Sequence, residues 1–322
     1  MATEHLPAYD DLPVVAGAPP RSAWGVWGDG DVFGCLNLLT ETRLLEAVRA
    51  VRRGAVFNLN LEMELPDPPL FGRARFEHRV SGFRVGHDEE LWAWNTQSSS
   101  QWDGFRHVRH AIHGFFGGVA DEDHGVHHWA RRGIAGRAVL ADVARWRTAA
   151  GRPLRMDASD PIEPDDVHAT LEAQGVRVEV GDILLLRTGW VYWYRSLDAD
   201  GRGRLGTARF AAPGLRPGEP TARMLWNLHV AAVAADNPAL EVWPPGALAT
   251  HSENAEPAFD SPETFVHRSL LPLLGLPIGE LWDLDRLAQD CADDGVYSFL
   301  LTSAPLNLRS GVASPPNALA IK

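Results

Sequence analysis

Short apolar runs of strand length alternate with helix-like stretches through this chain, and that alternation limits its fold more than any other feature. Residues 138–141 and 183–187 read as buried strands, and 230–235 and 296–301 as further strands. Between them, 164–174 is helical, with Pro164 in its first turn and Gly175 closing it. Residues 221–228 and 284–293 also read as helices, and 266–274 as a helix around Pro272. Earlier, Thr40 caps a helix through Arg52, with Leu44, Leu45, Val48 and Val51 on one face and Gly54 as its stop. A strand over 56–63 ends at Pro66 and Pro68, and another over 91–95 delivers Gln97 to its end. No internal repeat or linker interrupts the pattern. The expectation is one α/β domain over 24–322, preceded by an irregular, proline-bearing arm over 1–23.

Residues 198–218, rich in Gly, Arg and Pro, form the longest expected loop. Gly201, Gly203 and Gly206 spell a formal Gly-x-Gly-x-x-Gly, but no apolar strand feeds into it, and Pro213 and Pro217 follow too soon for a good helix. A nucleotide cofactor is therefore not expected there. A net charge of −12 argues against nucleic acid or an anionic membrane as the main partner. No apolar run approaches the roughly 18 to 20 residues that span a bilayer, and the first residues lack a basic-then-apolar leader pattern. Cys35 and Cys291 fit no metal or redox spacing and read as two buried thiols. A cytoplasmic protein acting on a small molecule is the expectation.

Residues 97–107, Gln-Ser-Ser-Ser-Gln-Trp-Asp-Gly-Phe-Arg-His, carry the candidate chemistry. If the segment is extended, Gln97, Ser99, Gln101, Asp103 and His107 point one way. Two amides, a carboxylate and an imidazole on one face can hold a metal or a substrate; a polar loop turning at Asp103–Gly104 is the plainer explanation. The segment resembles the signature of the cyclase family, which includes bacterial kynurenine formamidases and isatin hydrolases: His-x-x-x-His-x-Asp-x-x-x-His. Gln97 and Gln101 stand where that family has ligand histidines, Asp103 at its ligand aspartate and His107 at its acid/base histidine. The Ser-Gln-Trp-Asp-Gly form is similar to a subgroup seen in fungi and actinobacteria.

Further segments follow in the family's order. Trp24-Gly25 through Asp31, with Gly34 to Thr40, resembles its opening, and His128 to Arg137 the stretch after the signature. Gly181-Asp182, Leu184 to Arg187 and Thr188-Gly189-Trp190 resemble a family strand. Asp236-Asn237-Pro238-Ala239-Leu240-Glu241 sits where relatives carry Asp-x-Pro-Ser-x-Asp. His267, followed by Glu280, resembles a second metal half-site, and Ser303 to Leu308 the closing strand. The resemblance implies the swivelling β/β/α fold, a mixed, barrel-like sheet with flanking helices. It implies a metal site of Gln97, Gln101, Asp103, His267 and Glu280, and a homodimer or homotetramer.

An oxygen-rich donor set suits Mn²⁺ or Mg²⁺, while the relatives keep Zn²⁺ in view. A cation there would polarise a carbonyl, His107 would move the proton, and Ser98, Ser99 or Ser100 would donate to the oxyanion. That chemistry is hydrolysis of a small amide, lactam or ester. Two alternatives stay open: a metal-free cyclase, dehydratase or isomerase using the same pocket, and a non-catalytic small-molecule binder. Of twelve tryptophans, Trp102 is the candidate wall for a flat substrate. His110, His113, His124 and His127 read as structural or surface residues. Without a Gly-x-Ser-x-Gly or His-Glu-x-x-His, serine hydrolase and zincin chemistry are excluded.

Overall fold

The computed structural model describes residues 6–206, 210–248 and 261–322. Its strands are β1 (Val56–Asn58), β2 (Glu77–Phe83), β3 (Gly86–Trp92), β4 (Gln101–Asp103), β5 (Ile134–Ala141), β6 (Pro161–Ile162), β7 (Ile183–Leu186), β8 (Gly214–Leu215), β9 (Ala232–Ala235), β10 (Ile278–Glu280), β11 (Ser298–Ser303), β12 (Ala313–Ser314) and β13 (Ala318–Ile321). The helices are α1 (Glu41–Ala50), α2 (Val126–Arg132), α3 (Val143–Ala149), α4 (Pro164–Ala173), α5 (Trp190–Ser196), α6 (Ala199–Leu205), α7 (Glu219–Asn227), α8 (His267–Leu270) and α9 (Asp285–Asp294). Among the described residues, none is long and apolar enough to cross a membrane.

Nine strands form one mixed sheet in the order β1-β13-β11-β5-β7-β9-β10-β4-β12. The middle run β5-β7-β9-β10 is parallel, and antiparallel pairs flank it on both sides. Every residue of β7 and β9 is buried, which is why both read as unbroken apolar runs. A bridge between Asn60, just past β1, and Trp282, just past β10, brings the β1 side back towards the far half. The sheet thus curls into a half-barrel, the mixed α/β architecture expected.

Local chemistry explains most element boundaries. Thr40 Oγ1 accepts from the Arg43 amide and starts α1. That helix ends at Ala50, and Leu45 and Val48 on its expected inner face are exposed; Ala47 is the residue it buries. Glu163 and Asp166 close a reciprocal capping box on α4. Four expectations need correction, the first being the strand over 56–63, of which β1 is the opening three residues. The stretch over 198–218 is not all loop: the Asp198 side chain accepts from the Gly201 amide and starts α6, and β8 follows. The expected helix over 266–274 is one turn, α8. The strand over 91–95 is the end of a hairpin, β2–β3, whose two strands pair, among the described residues, only with each other and are exposed along nearly their whole length.

Tyr9 and Leu12 are buried, and Tyr9 N donates to Asn227 Oδ1 at 2.8 Å, so the described part of the N-terminal arm packs along α7. Both cysteines are buried and free. Gly104, after β4, has no room for a side chain: a Cβ would meet the Val312 carbonyl oxygen at 2.6 Å and Val126 Cγ1 at 3.0 Å. Gly104→Ala is expected to lower unfolding stability by about 1–3 kcal/mol. Chemical denaturation measures it, and an unchanged midpoint would show that the backbone yields there.

Candidate active site

β4 lies between β10 and β12, and its register places Gln101 directly opposite Glu280. Side chains alternate along a strand, so Gln101 and Asp103 share one face and Trp102 takes the other. On the first face, Gln101 Nε2 donates to Glu280 Oε2 at 2.5 Å. A turn after Asp103, closed by the His107 amide on the Gly104 carbonyl, folds His107 back beside it. A second turn at Asn95 brings Gln97 in from the other side. Its Nε2 donates to Asp103 Oδ1 at 2.7 Å and lies 3.1 Å from His107 Nδ1. The segment is therefore not one extended strand; two turns around a three-residue strand gather Gln97, Asp103 and His107.

His267 comes from the start of α8. Its Nε2 is 3.1 Å from Glu280 Oε1 and 3.8 Å from Asp103 Oδ2, while its Nδ1 is 2.9 Å from Glu241 Oε2. The buried imidazole thus sits among three buried carboxylates. Burial pulls its pKa down, but Glu241 first, then Asp103 and Glu280, hold it well above the usual imidazole value. Burial pushes Glu280 up, reinforced by the Asp103 charge. For Asp103 burial is outweighed by His107 and His267, which keep its carboxyl below the usual range. Burial sets the direction for His107, whose pKa falls despite the opposing pull of Asp103.

Asp103, His107 and His267 each present a donor atom within 4.8 Å of the others. Two buried acceptors in the group, Asp103 Oδ2 and Gln101 Oε1, have no hydrogen-bond partner, as does Glu241 Oε1 on the far side of His267. Buried acceptors without donors are costly, and a cation among them would satisfy both site oxygens. The donor set accordingly fits a divalent metal. Gln97 and Gln101 each give a site carboxylate an N–H, to Asp103 and Glu280 respectively, and the Gln101 oxygen is in addition buried without a partner.

The four remaining sequence candidates face elsewhere. Trp102 is fully buried on the opposite face, its indole donating to Ser303 Oγ at 2.9 Å and meeting Trp282 edge-on. The alternation that aims Asp103 into the site thus turns Trp102 away, and it walls no substrate pocket. Ser99 Oγ donates to the Glu62 carbonyl and Ser100 Oγ to the Leu281 carbonyl, and Ser98 Oγ donates to the Asn95 carbonyl. Their hydroxyls tie the strand to its neighbours and leave no donor for an oxyanion beside His107.

A pocket of about 290 Å³ opens onto His107, His267 and Glu280. Phe71, Trp243 and Phe265 wall it, and Arg73 lines it with them. Phe71 meets Trp243 edge-on at 4.7 Å, and Phe265 stacks on His267 at 4.6 Å. Sequence reasoning missed Arg73, Glu241 and these walls as site residues. Only Glu241 had a signal, its place at the end of the Asp236–Glu241 stretch.

No curated protein matches the chain. A crystal structure of a novel cyclase does, with 29% identity, a TM-score of 0.77, and coverage of 94% of this chain and 97% of the other. Isatin hydrolase A from Labrenzia aggregata, bound to benzyl benzoate, matches at 17% identity and TM-score 0.53, over 87% of this chain and 98% of its own. Isatin hydrolase A from Ralstonia solanacearum is similar at 16% and 0.52, over 87% and 97%. At those identities the two hydrolases attest the shared fold alone. The Cyclase family model matches residues 39–242, a stretch that includes the whole signature and most of the parallel core, and so the chain belongs to the cyclase family.

Proposed function

We propose that this protein is a metal-assisted hydrolase of a small amide, lactam or ester. The observation that carries the reading is Asp103 Oδ2, an unpartnered buried acceptor 3.8 Å from His267 Nε2, with a second unpartnered acceptor, Gln101 Oε1, on the same face of β4. Asp103, Glu280 and His267, with the Gln101 oxygen, would hold the cation, leaving His107, whose ring also lies within donor reach, for proton transfer. With His107 so reserved, oxygen ligands dominate one nitrogen and favour Mn²⁺ or Mg²⁺ over Zn²⁺. When bound, the cation supplies positive charge that polarises a carbonyl and favours ionisation of water.

The chain's own groups do the rest. The aromatic walls exclude water and orient a flat substrate with its carbonyl towards β4. His107, neutral and open to the pocket, takes a proton from water as the water oxygen bonds to the carbonyl carbon. As the C–N or C–O bond breaks, the protonated ring returns that proton to the leaving nitrogen or oxygen, and Asp103 beside it stabilises the charged form in between. Glu241, on the far nitrogen of His267, fixes how that ring presents Nε2 to the site.

Two observations support a second reading, a metal-free cyclase, dehydratase or isomerase. Gln97 and Gln101 already give Asp103 and Glu280 an N–H each, and the raised pKa of His267 provides a cation among the carboxylates. Elemental mass spectrometry on protein purified without added metal or chelator, beside a screen of aryl amides, lactams and esters, separates the two. The hydrolase reading expects about one bound divalent ion per chain and turnover lost to chelation and restored by Mn²⁺. Turnover that ignores chelation in metal-free protein would overturn it in favour of the second reading.

A further inference from the structure

We propose that Arg73 reads an anionic group on the substrate, so that the compounds processed here are flat carbonyl compounds carrying a carboxylate. The inference rests on the pocket described above being the substrate site. Arg73 sits on a turn closed by its own amide on the Leu70 carbonyl, and Leu70 is buried. Its Nη1 donates to the Gln97 carbonyl, which ties the guanidinium to the segment that bears Asp103 and His107. The guanidinium carbon lies 4.9 Å from the centre of the Phe71 ring. The head group is thus held in place from two sides while still lining the cavity.

Among the described residues lining that cavity, Arg73 is the one guanidinium; the other walls are chiefly aromatic or aliphatic. A planar, permanently charged group set against aromatic walls selects for a ligand with a matching anion at one end and a flat apolar body. Asp103, Glu280 and Glu241 surround His267, and the charges of Glu280 and Asp103 reach Arg73 as well. An anionic substrate group is repelled by those carboxylates, and the Arg73 guanidinium on the pocket lining is the group that can offset the repulsion. The site's volume of about 290 Å³ accommodates a single ring with substituents.

Calorimetric titration with benzoate and with its neutral counterpart benzamide tests the assignment. It is run on the protein as purified and again after chelation, so that a carboxylate resting on a metal cannot imitate one resting on Arg73. Wild-type protein is expected to prefer benzoate about 10- to 100-fold in both states, the range of one charge-assisted contact. Arg73→Met should remove the preference with benzamide binding little changed, and Arg73→Lys should keep part of it. No preference in the chelated wild type, or a preference that survives in Arg73→Met, would overturn the proposal. The titration needs no turnover. A benzoate preference lost in Arg73→Met therefore stands even if no amide, lactam or ester is hydrolysed, and hydrolysis without that preference leaves the catalytic reading in place.

Discussion

His107→Ala is expected to lower turnover of a hydrolysed substrate about 10²- to 10⁴-fold, the usual contribution of a positioned general acid/base. The loss should fall on kcat more than on KM, because the imidazole moves a proton in the transition state and the aromatic walls supply most of the ground-state contact. Folding should survive. The His107 side chain is 26% exposed at the pocket mouth, and Gln97 keeps its hydrogen bond to Asp103 when the ring is gone. His107→Gln separates the two roles of the residue, since it preserves a polar neighbour for Gln97 but cannot carry a proton; it should be as inactive as the alanine variant. Steady-state kinetics with a thermal melt on each variant is the measurement. Turnover within about twofold of wild type in either, well inside the acid/base contribution, would remove His107 from the chemistry.

What the sequence disclosed and what it hid follow from the range of the forces involved. Caps and buried strands are local. Pro164 with the Glu163–Asp166 box and the unbroken runs in β7 and β9 leave marks that one stretch of chain displays. The β2–β3 hairpin left no mark, because with both faces in solvent it has no reason to alternate apolar and polar residues, and Arg84–Val85 is not a recognisable hairpin turn. Helix α6 was masked by Gly201 and Gly203, residues of low helix propensity, although Asp198 starts it. The site divides in the same way. Asp103 and His107 are neighbours along the chain, and their spacing shows. Arg73, Glu241 and Phe265 meet them only through tertiary folding, and a lone arginine in a sequence gives no sign that it lines a cavity. His267 and Glu280, as distant along the chain, were legible through the family resemblance alone. Trp102 is the instructive case. Its position inside the signature suggested a role at the site, but two-residue alternation sends it to the core, and that rule was available from the sequence.

Asp103→Asn, nearly the same in shape, tests the centre of the site. The carboxylate accepts the Gln97 amide at Oδ1 and leaves Oδ2 unpartnered, 3.8 Å from His267 Nε2. An asparagine has one acceptor and one donor. If its oxygen stays on Gln97, its NH₂ faces the other donors of the site; if it flips, two NH₂ groups oppose each other. The first orientation keeps the Gln97 hydrogen bond and turns an unpartnered acceptor into a buried donor, the second loses that bond, and both remove the negative charge that helps hold a cation. Metal content should fall well below that of the wild type. Turnover should drop about 10²- to 10⁴-fold, several kcal/mol of charge stabilisation at 1.36 kcal/mol per tenfold. The misplaced donor should also cost about 1–3 kcal/mol of stability, so thermal melts accompany elemental analysis and kinetics. The two readings of the site then part company. In a metal-assisted hydrolase, added Mn²⁺ should recover some of the lost rate by mass action. In a metal-free enzyme the rate loss stands unchanged at any Mn²⁺ concentration, because what was removed is a hydrogen-bond acceptor for the substrate. A folded Asp103→Asn variant with full metal content and full turnover would take Asp103 out of both.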